Sequence, residues 1–216
     1  MSTQPQYYQQ KQLDDRNNLQ HFQQFLTKAL IPAKNPAAKK QQQQHFVSSR
    51  ELEEYFGAPG RLEDILCDVF PDGDDPLPNL DIIRDNYLKA FCILLSTGNA
   101  RYIRLFMEHA SLADSKLPFA SEPANFPIAS GHNIWDAFSA QQWAFCAQEV
   151  TYKENILLDP DQVVPIIAHE VVASGNSADI SKITLHECFD RLPYNGDGPL
   201  VNMNPLLYCN FSNLVK

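Results

Sequence analysis

No apolar run in these 216 residues approaches the ~18 that a helix needs to cross a bilayer. The longest, Ala90-Phe91-Cys92-Ile93-Leu94-Leu95, has the length of a buried helix segment. The opening MSTQPQYYQQKQ lacks the charged-then-apolar order of a secretory signal. No CxxC pair occurs, and the five cysteines (Cys67, Cys92, Cys146, Cys188 and Cys209) are odd in number and widely spread. That spacing suits neither a zinc site nor a disulfide framework, so a reducing, intracellular compartment, cytoplasmic or nuclear, is expected. Basic residues are in deficit: 17 Lys and Arg against 26 Asp and Glu give a net charge of -9. Nucleic-acid binders neutralise phosphates with clustered cations, and the only basic run, Lys39-Lys40 near Lys34, is short. Neither nucleic acid nor membrane is an expected partner. No two histidines fall at HExxH or HxH spacing, and the serines around Gly175 form no GxSxG elbow. Metalloprotease and serine hydrolase chemistry find no support in these words.

What is present is mainly helical periodicity. Residues 1 to about 15 are polar and Gln-rich, a composition that disfavours a packed core. Leu19, Phe22, Phe25-Leu26 and Leu30 recur at helical spacing until Pro32. A polar linker follows from Ala33 to Gln44, and the folded part is expected to begin near Phe46. Ser48 with Glu51 fits a capping box, opening a helix through Leu52, Tyr55 and Phe56. A short helix carries Leu62, Ile65-Leu66 and Val69-Phe70. Asp81 to Ser96 is apolar around most of its circumference, which predicts a central helix. Asn99 is placed to cap the next one, which extends to Ala110. Pro118, Pro123 and Pro127 then exclude helix interiors, and Asn133 to Val150 returns to helical spacing. After Asp159-Pro160 the period shifts towards strands. Val163 to Leu185 reads as strand, glycine turn, strand.

Other candidates read as structural. The acidic turn Asp72-Gly73-Asp74-Asp75 lacks the alternating oxygens and closing Glu of a calcium loop. His186 and Cys188, two steps apart on an extended chain, share a face. They lack a third ligand or an orienting Asp, so neither a metal nor a nucleophilic site is built there. Trp135, Phe138, Trp143 and Phe145 at helical spacing are expected in a core, with an exposed partner site as the alternative.

The glycine hairpin resembles the phosphate-covering hairpin that opens a protein kinase domain. A kinase reads GxGxxG there; here Ala173-Ser174-Gly175-Asn176-Ser177-Ala178 keeps only the middle glycine, and Asp179 adds a negative charge. Around it, about Leu80 to His186 is similar to the leader and first strands of fungal serine/threonine protein kinase-like proteins. The words that carry the likeness are Phe106-Met107-Glu108-His109, Leu117-Pro118-Phe119, Phe138-Ser139-Ala140-Gln141-Gln142-Trp143-Ala144-Phe145-Cys146-Ala147, Val164-Pro165-Ile166-Ile167-Ala168-His169-Glu170 and Ile183-Thr184-Leu185-His186.

The expected fold is mainly α: a disordered or partly helical Gln-rich leader over 1–45, a helical domain over 46–160, and a partial kinase-like N-lobe, a β-hairpin and tail, over 161–216; the resemblance implies that 80–160 is a helical leader packed ahead of that lobe. It implies that Gly175 would contact a nucleotide and that Lys216 could be the third-strand lysine. No HRD- or DFG-type word occurs in these residues, so neither a catalytic base nor a magnesium-binding Asp is supplied. The expectation is a kinase-like protein truncated before its catalytic motifs and non-enzymatic. It would have no cofactor (ATP only if the likeness is functional) and would act through a protein partner or self-association. The alternative is an α-helical interaction module that binds no nucleotide.

Overall fold

The computed structural model of the chain describes residues 18–34, 44–71, 76–128, 134–151, 161–174, 179–191 and 207–210. It is mainly helical with small sheets, as expected. Two compact units divide it: Met1–Ala29 with Ser49–Phe145, and Leu30–Ser48 with Cys146–Lys216.

The first unit opens with helix α1, residues 18–29. Its apolar stripe is buried at Phe22, Leu26 and Ala29. The Phe22 ring lies 6.0 Å from those of Tyr55 and Phe56. The folded part therefore begins well before Phe46, because the i, i+4 stripe of this helix supplies part of the core. Helix α2, Ser49–Gly57, starts one residue after Ser48 and buries Leu52 and Phe56. Helix α3, Arg61–Val69, buries Leu62, Ile65 and Leu66. Between them Gly60 takes φ 76°, a left-handed conformation that a side chain would strain.

The helix expected over 81–96 is built in three pieces. Asn79 caps α4, Leu80–Ile82, its side chain accepting from the N–H groups of Asp81 and Ile82. A π-turn follows over Ile83–Tyr87. Tyr87 leaves the helical region at φ -138° and ψ 17°, and α5 runs from Leu88–Ser96. Leu88 and every residue from Ala90 to Leu95 are buried, as the all-round apolar pattern requires. Gly98, at φ 72°, ends this helix, with the Asn99 N–H donating back to the Leu94 carbonyl at 2.7 Å. Asn99 does not cap the next helix; its Nδ2 donates to the Thr97 carbonyl instead. Helix α6 is short, Ile103–Met107. Helix α7, Ile134–Phe145, ends before the expected Val150, which belongs to a strand.

The core of this unit is aromatic. The ring of Phe138 lies 5.4 Å from Phe106, 5.9 Å from Phe119 and 5.3 Å from Phe126. Edge-on and offset rings at these separations add to the stabilisation from area burial.

The second unit holds three small sheets. β1, Ile31–Pro32, pairs antiparallel with β2, His45–Phe46. β3, Val150–Thr151, pairs parallel with β6, Asp190–Arg191. The two strands expected over 163–185 are present as β4, Ile166–Ser174, antiparallel to β5, Asp179–Leu185. β7, Leu207–Asn210, adds to β5, giving the order β4-β5-β7. Ile166, Ile183 and Leu185 form the buried cluster beneath this sheet, with Val150 and Val164 packed against it.

Candidate functional site

The β4–β5 hairpin is where the sequence places nucleotide contact. Its register sets His169 opposite Ile183 and Glu170 opposite Lys182. Register shifts between Ile166 and Ala168 and between Val171 and Ala173 mark bulges that bend the strand. Only the base of the ribbon is packed. Ile166 is buried, whereas 168–173 are exposed, Val171 by 51% and Val172 by 46%. Gly175, the residue expected to touch phosphate, and Lys216, the candidate third-strand lysine, both lie outside the described residues, as does the acidic turn 72–75.

His186 and Cys188 meet, but as structure. The Cys188 backbone N–H donates to His186 Nδ1 at 3.3 Å, so the imidazole caps the short 3-10 turn Glu187–Phe189. The His186 ring also packs 5.6 Å from Phe46 and 5.9 Å from Phe189. Nδ1 of His186 is thus committed to the turn. Among the described residues, no three His, Cys, Asp or Glu side chains are grouped to hold a metal ion. No helix of the described residues is long and apolar enough to cross a membrane.

Two polar side chains of the first unit, half-buried Asp114 and buried Gln142, hold backbone groups far from them in sequence. Asp114 accepts from the N–H groups of Lys89 at 2.8 Å and Ala90 at 2.9 Å. An unbroken α-helix would direct those donors to the carbonyls of Asp85 and Asn86. Asp114 therefore acts as a distant N-cap for α5 after the π-turn. Burial raises its pKa from the ordinary carboxylate value, outweighing the backbone hydrogen bonds and the Lys89 charge that favour ionisation. Cys92 lies fully buried, and burial, with a smaller push from Asp114, holds its thiol well above the usual range. A thiol so held is inert as a nucleophile. Gln142, 1% exposed, is the second. Its Oε1 accepts from the Phe119 N–H and its Nε2 donates to the Phe119 carbonyl, at 2.8 and 3.0 Å. The amide thus fastens the proline-containing segment to α7 as a strand would.

Phe106, Phe119, Phe138 and Gln142 all belong to one packed centre. Their contacts are those of a core, and no reacting group stands among them.

A shallow cavity of about 300 Å³ is lined by Pro76, Pro78, Arg104 and Met107. Arg104 is engaged there: Nη2 donates to the Pro76 carbonyl at 3.0 Å, and the guanidinium lies 4.3 Å from the centre of the Phe70 ring. A surface group on the same unit joins His21 Nδ1 to Tyr55 Oη at 2.9 Å and to Arg61 Nη1 at 3.3 Å. Both sites are assembled by structural contacts and present no paired acid and base.

Comparison with protein-family models, curated proteins and solved structures gives no match for this chain.

Proposed function

We propose that this chain is a catalytically inactive, protein kinase-like protein that acts by binding a protein partner or itself, not by phosphoryl transfer. The observation that carries the reading is the antiparallel sheet β4-β5-β7. The β4–β5 hairpin is followed by a later strand added beside its second member. The resemblance expects a glycine hairpin with a later strand, and the stretch it assigns to that strand, 213–216, lies outside the described residues. The loss of two glycines at Ala173 and Ala178, and the charge of Asp179, argue against close approach of a triphosphate.

The side chains described in detail support the non-catalytic half of the reading. The half-buried carboxylate Asp114 gives both oxygens to backbone donors. His186 spends Nδ1 on a turn. The net charge of -9 would favour a basic partner surface. Isothermal titration of the 216-residue protein with ATP and magnesium tests the nucleotide side. The expected result is no measurable heat of binding; a micromolar dissociation constant would overturn it.

A further inference from the structure

We draw no further inference here: the strongest candidate, the outer edge of β4 with Val171 and Val172 exposed, is an unpartnered apolar strand edge interrupted by bulges, and nothing among the described residues shows what covers it.

Discussion

The two units place their apolar residues in different ways. The first converges the rings of Phe106, Phe119, Phe126 and Phe138 on one centre, and closes a second group around Phe22, Tyr55 and Phe56. Half-buried Asp114 and buried Gln142 are satisfied by backbone. The second unit buries Ile166, Ile183 and Leu185 under a small sheet, then extends a ribbon exposed at 168–173. A helical core with many long-range ring contacts resists local opening, whereas a strand edge with few buried neighbours opens first. The lesson is that dense packing and the exposed hairpin ribbon lie in different parts of the chain.

Three substitutions put this contrast to the test. Phe138→Ala removes a fully buried ring from the densest cluster and is expected to cost about 3–5 kcal/mol. Urea unfolding followed by tryptophan fluorescence measures it, and a cost below about 1 kcal/mol would show that the aromatic centre is not the anchor. Ile183→Ala, at 3% exposure in the smaller cluster, is expected nearer 2 kcal/mol, the low end for a large aliphatic side chain. Val171→Ser, on the exposed ribbon, should change stability by no more than about 0.5 kcal/mol. Equal costs for the last two would erase the distinction between ribbon base and ribbon tip.

Asp114→Ala should cost about 1–3 kcal/mol, because the Lys89 and Ala90 donors lose their acceptor. The pH dependence has a definite sign. Burial raises the pKa of Asp114 in the folded state above its ordinary 3.8, so the folded chain holds this proton more tightly than the unfolded one. Stability from this group is greatest below about 3.8 and falls as pH rises through the raised folded value. Asp114→Asn should remove that component of the slope. A denaturation midpoint that keeps the wild-type slope in Asp114→Asn would assign the pH dependence to other groups.

Local spacing was enough for much of the helical unit. Phe22 and Leu26 announce α1, and the unbroken apolar run Ala90 to Leu95 announces a central helix. It could not announce the π-turn at Ile83–Tyr87, since the donors that follow are received by Asp114, 25 residues away from Lys89. Gln142 escaped for the same reason: its partner, the Phe119 backbone, is 23 residues distant. Val150 reads as a helix end but pairs with Asp190, and a two-residue strand is too short to show alternation. The hairpin itself was visible from its strands, while the two residues assigned to nucleotide contact, Gly175 and Lys216, fall outside the described residues.

Transfer of radiolabelled γ-phosphate from ATP to a generic peptide substrate, with the purified 216-residue polypeptide and magnesium, is the most direct test. The proposed binding role predicts incorporation no greater than in buffer alone, since no HRD- or DFG-type word occurs in these residues. Label accumulating in proportion to protein and time would contradict a binding role without catalysis.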